Sequence, residues 1–306
     1  MKLRVGIVGY GNLGHAVEKE IKNSNQYDLV AIFSRRKVKS DLSPKVETLD
    51  EMKNYKGKID AMIMCGGSKD DIMWQSPEAL KYFDIIDSFD THQLIPKHAN
   101  NLNQVAKLNN HKAIYSCGWD PGLFSLYKLL GDTILNGKTH VFWGKGVSQG
   151  HSDALRRVEG VEDAIQYTVP NKDMVRKAQN INSNIENNKK HSRVCYVAIK
   201  DGADKTKIEA DIRNIPYYFK DQEVIINFVS KEEVKKLKKK MFHAGKVISL
   251  DKENLIKNEV KMKHNPQFTA KIMLAYANAL PKLKNGAYSI LEVPASYISD
   301  NFDKYL

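Results

Sequence analysis

No apolar run in the 306-residue chain approaches the ~20 residues that a membrane-spanning helix needs, so a helical membrane protein is excluded. Cysteine is scarce. Cys65, Cys117 and Cys195 lie far apart, are odd in number and form no Cys-x-x-Cys pair, and they read as buried, reduced thiols of a cytoplasmic protein. The nine histidines include no His-x-x-x-His and no His-Glu-x-x-His, and no compact Cys/His cluster is present, so no metal site is expected. Internal repeats and low-complexity linkers are missing too. A strand-like segment starts almost at the first residue, leaving no room for a signal peptide. Acidic residues are outnumbered, 36 against 48 Lys and Arg, for a net charge of +12. The lysines are scattered, however, and the densest cluster, Lys235 to Lys240, fits a solvated helix face better than a nucleic-acid patch, because no nucleic-acid module accompanies it. Asn180 to Lys190 reads as a surface loop.

What is present points to a nucleotide. The apolar run Ile7-Val8 enters Gly9-Tyr10-Gly11-Asn12-Leu13-Gly14, and the helix-forming Ala16 to Ile21 follows. A Gly-x-Gly-x-x-Gly turn between a strand and a helix lets backbone approach a pyrophosphate at the helix N-terminus, where free N–H groups and the macrodipole favour anions. The next strand, Asp28 to Phe33, should end in Asp or Glu if the ribose carried a free 2′-hydroxyl. It ends instead in Ser34-Arg35-Arg36, a hydroxyl and two guanidinium groups suited to a 2′-phosphate. The cofactor reading is NADP.

Strand and helix patterns alternate over the first ~117 residues and predict a doubly wound parallel sheet of the Rossmann type. The strands are Leu3–Val8, Asp28–Phe33, Ala61–Cys65, Asp84–Asp87 and Lys112–Ser116. Ligands of such sheets bind beyond the carboxyl ends of the strands, where Cys65–Ser68, Ser88–His92 and Cys117–Gly122 lie. Beyond residue 118 the pattern becomes α+β with an open, mostly antiparallel sheet, and the helical stretch Phe268–Leu280 is expected to return toward the first domain. The expected division is 1–118 for the dinucleotide, 119–264 for substrate and dimerisation, and 265–306 as the returning segment.

Asp90 and Asp120 are the leading candidates for chemistry. Each ends a predicted strand on the cofactor side, and a carboxylate pair facing a nicotinamide suits a substrate ammonium, an iminium after hydride loss, and proton removal. A lone aspartate at such a position reads first as a turn or helix cap; two of them leave both readings open. Gly146-Val147-Ser148-Gln149-Gly150 matches the nucleophile-elbow pattern, with His151 and Asp153 nearby. That motif needs its acid and histidine far downstream, so a serine hydrolase is not expected. His243 stands beside Gly245 in a loop-like stretch.

Taken together these segments resemble the meso-diaminopimelate dehydrogenases. The resemblance runs nearly end to end, and its most specific stretch is Ser148-Gln149-Gly150-His151-Ser152-Asp153-Ala154-Leu155-Arg156-Arg157. Val8–Gly14, Phe33–Arg36, Gly118–Gly122, Gln166–Thr168, Asn265–Ala270 and Leu291–Val293 add to it. The resemblance implies a homodimer that oxidatively deaminates the D-centre of meso-2,6-diaminopimelate with NADP, giving L-2-amino-6-oxopimelate, ammonia and NADPH, a reaction of lysine and cell-wall precursor synthesis. It implies that Asp90, Trp119, Asp120, Trp143, Gln149 and Gly150 surround the reacting centre, and that Thr168, Arg193, His243 and Asn265 hold the distal one. It assigns the cofactor to Tyr10, Gly11, Asn12 and Leu13; to Ser34, Arg35 and Arg36; to Cys65, Gly66, Gly67 and Ser68; to Ser88, Phe89 and Asp90; and to Cys117, Gly118, Trp119, Asp120 and Pro121. Ser88-Phe89 stands where Thr-Tyr is common, Gly66 where Met is frequent, and Lys145 where Pro is typical. None of the three removes a proposed charged group. The rival readings are an NADP-dependent reductase of another carbonyl or imine, and an NADPH-binding sensor without catalysis.

Overall fold

The computed structural model describes residues 2–42, 45–68, 70–216 and 218–306. The chain divides into two compact units, Met1–Leu126 with Pro266–Leu306, and Tyr127–Asn265. This division falls inside a helix, so the Asp120 turn groups with the first unit rather than opening the second.

The elements run β1 (Leu3–Val8), α1 (Asn12–Lys22), β2 (Tyr27–Phe33), β3 (Lys45–Glu47), β4 (Ala61–Met64), α2 (Ile72–Ala79), β5 (Asp84–Asp87), α3 (Ile95–Asn109), β6 (Lys112–Ile114) and α4 (Leu123–Leu135). They continue with β7 (Lys138–Trp143), β8 (Gly146–Val147), α5 (Gln149–Arg156), β9 (Val161–Pro170), α6 (Lys172–Lys177), β10 (His191–Ile199), α7 (Lys205–Arg213) and β11 (Glu223–Phe228). The last are α8 (Lys231–Lys238), β12 (His243–Leu250), β13 (Leu255–Met262), α9 (Asn265–Ala277) and β14 (Gly286–Tyr288).

The first unit is a seven-stranded sheet in the order β14-β6-β5-β4-β1-β2-β3, with every pairing parallel. A parallel sheet is covered on both faces, so its strands read as unbroken apolar runs. Ala61-Met62-Ile63-Met64 is fully buried along its whole length for that reason. One face packs Val5, Ile7 and Ile63 against Val17 and Ile21 of α1 and Met273 and Leu274 of α9. The other packs Met62, Met64 and Phe33 against Leu102 and Ala106 of α3. The helix α9 packs on this sheet and begins earlier than its apolar spacing indicated. Asn265-Pro266 opens it, and Pro is tolerated in the first turn of a helix because its missing N–H would be unpaired there anyway. β14 is too short for a periodic signal and was not foreseen.

The second unit holds two sheets where one was expected. The order β11-β10-β9-β8 is antiparallel apart from the parallel β10–β11 pair, and β13-β12-β7 is antiparallel throughout. Central β9 escaped the sequence reading because Ala164 to Thr168 is buried on both faces and shows no alternation, while Val161-Glu162-Asp163 opens it with charge. His243, expected in a loop, is the buried first residue of β12, paired with Met262. The lysine cluster lies on α8 and beyond it, where Lys231 pairs with Glu162 and Lys238 with Asp163. Among the described residues no helix is long and apolar enough to cross a membrane.

Candidate active site

In the first unit, β1 delivers the glycine turn to the start of α1. A side chain at Gly14 would put its Cβ 2.3 Å from the Gly9 carbonyl oxygen, so only glycine lets the helix sit this close to the strand. At Gly11 a Cβ would meet nothing within 4 Å, leaving the backbone of the turn open above the helix N-terminus. A cavity of about 170 Å³ lies there, bounded by the Gly9–Gly11 turn, Ser34–Arg36 and Cys65–Gly67. An open turn at a helix N-terminus, walled by two guanidinium-bearing residues, fits a dinucleotide carrying an extra phosphate. The Arg35 Nη2 lies 2.7 Å from Asp71 Oδ1 across this cavity. Arg35 is exposed but the Asp71 side chain is only 16% exposed, so the carboxylate holds this guanidinium at the edge of the cavity.

Glu18, which the sequence reading passed over, organises this half. It sits on the buried face of α1 beside Val17 and Ile21, and a charged residue in an apolar stripe was the signal available. Its carboxylate accepts from the Tyr10 hydroxyl, from the Ser40 hydroxyl and from the Leu42 N–H at 3.0 Å. One acid thus ties the glycine turn to the segment following Ser34–Arg36. Burial pushes the Glu18 carboxyl up, but the accepted hydrogen bonds outweigh it and hold the group below its usual range.

Cys65–Ser68, Ser88–Asp90 and Cys117–Asp120 follow β4, β5 and β6, which are neighbours in the sheet. The Asp90 N–H donates to Ser68 Oγ at 3.2 Å, joining the first two segments. In the third, Gly118 N–H donates to the Pro121 carbonyl at 3.1 Å and closes the turn that carries Asp120. Asp90 is exposed and Asp120 half-buried. Burial pushes the Cys65 and Cys117 thiols up, so neither supplies a thiolate.

The second unit gathers the other group. Thr168 on β9 faces Arg193 on β10, and Arg193 Nη1 donates to Thr168 Oγ1 at 3.0 Å. Thr168 also pairs with Gly146 on β8, where any Cβ would come within 2.4 Å of the His243 ring; glycine lets that imidazole lie against the strand. Asn265 N–H donates to the Met241 carbonyl at 2.8 Å, which brings Asn265 to the same strand end as His243. Trp143 donates its N–H to His191 Nε2 at 2.8 Å and stacks on that ring at 5.2 Å. Gln149 and Gly150 are exposed at the start of α5.

The electrostatics of this half centre on Arg193. Burial lowers its pKa, its Nε has no hydrogen-bond partner, and among the described residues no carboxylate pairs with it. His151 and His191 are both pushed down to about 3, by burial first and then by the Arg193 charge, so both stay neutral at pH 7. A partly buried guanidinium without a counter-ion is costly to the folded chain and is a ready receptor for a carboxylate.

The elbow-like segment does not form a hydrolase triad. Ser148 Oγ does lie 2.7 Å from His151 Nδ1, a contact that the sequence argument did not foresee, but Asp153 pairs with Arg156 one helical turn on. Among the described residues no acid pairs with His151, and burial together with Arg193 removes its basicity.

A parallel sheet with an open glycine turn and a paired-arginine wall, carried with a second α+β unit, defines a two-domain nicotinamide-nucleotide dehydrogenase. The family profile of the diaminopimelic acid dehydrogenase C-terminal domain matches residues 118–268. A meso-diaminopimelate D-dehydrogenase of Ureibacillus thermosphaericus is 42% identical, covering 97% of this chain and 96% of its own. The Corynebacterium glutamicum diaminopimelate dehydrogenase in complex with diaminopimelate superposes with a TM-score of 0.92 at 36% identity, over 99% of this chain and 98% of that one. An engineered D-amino acid dehydrogenase bound to NADP+ gives 0.86 at 34% identity, over 99% and 98%. The chain belongs to the meso-diaminopimelate dehydrogenase family.

Proposed function

We propose that this protein oxidatively deaminates the D-centre of meso-2,6-diaminopimelate with NADP, reversibly, giving L-2-amino-6-oxopimelate, ammonia and NADPH. The observation that carries the reading is Arg193, partly buried beside Thr168 without an anionic partner. A dicarboxylic diamine supplies that partner at one end while its other end reacts.

Tyr10 to Leu13, Ser34 to Arg36 and the segments after β4, β5 and β6 hold the nucleotide, with the 2′-phosphate on Arg35 and Arg36. The chemistry that NADP supplies when bound is hydride acceptance from the amine-bearing carbon. Asp90 and Asp120 fix the ammonium, accept one of its protons so that the hydride leaves from a neutral amine, stabilise the iminium that results, and assist proton transfer as water adds and ammonia leaves. Trp119, Trp143, Gln149 and Gly150 enclose that centre. Thr168 and Arg193 clamp the distal carboxylate while His243 and Asn265 meet the distal amine, so the two ends of the meso compound are not interchangeable.

The protein acts as a homodimer in this reading. Leu130 and Ile134 lie one turn apart on α4 and are 47% and 66% exposed, an apolar face suited to a second copy. Three free, buried cysteines suit the reducing cytoplasm. The test is NADPH and ammonia release in equal amounts from meso-diaminopimelate and none from the LL isomer. Equal turnover of the two isomers, or NADPH binding without turnover, contradicts the assignment.

A further inference from the structure

The geometry points to Asp87 as a positioning residue, one buried carboxylate that ties together the two strand-end segments bearing Asp90 and Asp120. The inference rests on the reading of those two aspartates as the amine-holding pair. Asp87, Ser76 and His98 are all completely buried. Oδ1 of Asp87 accepts from the Phe89 N–H at 3.1 Å and from the Ser116 N–H at 2.9 Å. Oδ2 accepts from the Ser76 hydroxyl at 3.1 Å and faces His98 Nε2 at 2.7 Å. Both oxygens are thus engaged, Oδ1 by two backbone N–H groups and Oδ2 by the Ser76 hydroxyl and the His98 ring.

The location gives this arrangement its purpose. The β5–β6 ladder pairs only Ile85 with Ala113 and Ile86 with Ile114, and it ends before either candidate aspartate. Past that point the chains are joined through Asp87, by its Oδ1 and by its own carbonyl, which accepts from the Cys117 N–H at 2.7 Å. Ser116 adopts φ +52, a left-handed conformation that a non-glycine residue holds only when its surroundings impose it. The Asp87 Oδ1 on its N–H is such a constraint. The Phe89 ring packs on His98 at 4.5 Å and closes the other side. Asp90 follows Asp87 by three residues and Asp120 follows Ser116 by four, so moving this carboxylate moves both.

The test compares Asp87→Ala and Asp87→Asn with Ile86→Ala, a core truncation in the same strand, in the full-length protein. Readouts are kcat, KM for meso-diaminopimelate, the midpoint of thermal unfolding, and amide exchange in peptides covering 86–92 and 114–121. Misplacement by an ångström costs ~100-fold in rate, so Asp87→Ala should lose roughly 100-fold in kcat. Its Phe89 and Ser116 amides should lose protection. Ile86→Ala should match the loss of midpoint with kcat nearly intact. Asp87→Asn keeps one oxygen for the two N–H groups and turns its amide toward Ser76 and His98, so it should stay within about 3-fold of the parent. If Asp87→Ala does not fold, Asp87→Glu, which shifts the carboxyl oxygens by one methylene, carries the same expectation. Equal kcat in Asp87→Ala and Ile86→Ala, or equal damage in Asp87→Asn and Asp87→Ala, overturns the inference. Full turnover in Asp90→Ala and Asp120→Ala would instead remove the amine-holding pair and the inference with it.

Discussion

Replacing Glu18 by alanine takes away the acceptor of three donors at once. Tyr10 and Ser40 are 5% and 8% exposed, so water cannot replace the carboxylate at their hydroxyls. The Leu42 N–H keeps Ser40 Oγ as an acceptor at 3.2 Å, so the loss comes from the two buried hydroxyls, at ~1–3 kcal/mol each, or roughly 2–6 kcal/mol together. That is a large part of a stability of ~5–15 kcal/mol. Glutamine retains one acceptor oxygen and lets the hydroxyls turn, so Glu18→Gln should cost only ~1–2 kcal/mol. Because the carboxylate anchors Ser40 and Leu42 just beyond Ser34–Arg36, NADPH affinity should fall too, by about 10-fold in Glu18→Ala. Urea unfolding and a nucleotide fluorescence titration measure the two effects. The pH dependence has a definite sign. The folded Glu18 carboxyl lies below its unfolded value, so its stabilisation is complete above the ordinary carboxylate range and fades as pH falls through the folded value. The gap between the parent and Glu18→Gln should therefore be widest near neutrality and narrow in acid. An unchanged urea midpoint and unchanged NADPH affinity in Glu18→Ala would refute the reasoning.

Arg193→Met should raise KM for meso-diaminopimelate by ~30-fold or more, the worth of a charge-assisted, partly buried carboxylate contact, with kcat less affected; an unchanged KM would remove the distal clamp. Asp120→Asn should lower kcat by at least ~100-fold with NADPH binding intact, since only the charge facing the amine is lost; full activity would take Asp120 out of the mechanism. Arg36→Leu should weaken NADPH by ~10-fold or more and leave NADH unaffected, because only the former carries the 2′-phosphate; parallel losses for both nucleotides would contradict that role.

Much of the first unit was legible because its signals are local. The Gly9–Gly14 turn, the buried run Ala61–Met64 and the Ser34–Arg36 ending each declare themselves within a few residues. The second unit was harder to read. Its central β9 is covered on both faces and lacks alternation, and β8 is a two-residue strand whose partner lies 20 residues on. No pattern along the chain reveals that Thr168, Arg193 and His243 converge, because that depends on the β8–β9–β10 register and on glycine at 146. The resemblance named those residues, whereas spacing alone would not have. The two positioning acids, Glu18 and Asp87, were readable only as charge in apolar surroundings. Each carboxylate also holds a segment far along the chain, 22 and 24 residues on for Glu18 and 29 for Asp87.

A structure of the protein with NADP and meso-diaminopimelate bound would bear most directly on the account. It should have the D-centre nitrogen within ~3 Å of carboxylate oxygens from both Asp90 and Asp120, and the far carboxylate on the Arg193 guanidinium. A substrate whose reacting amine touches neither aspartate, or whose distal carboxylate lies away from Arg193, would contradict it.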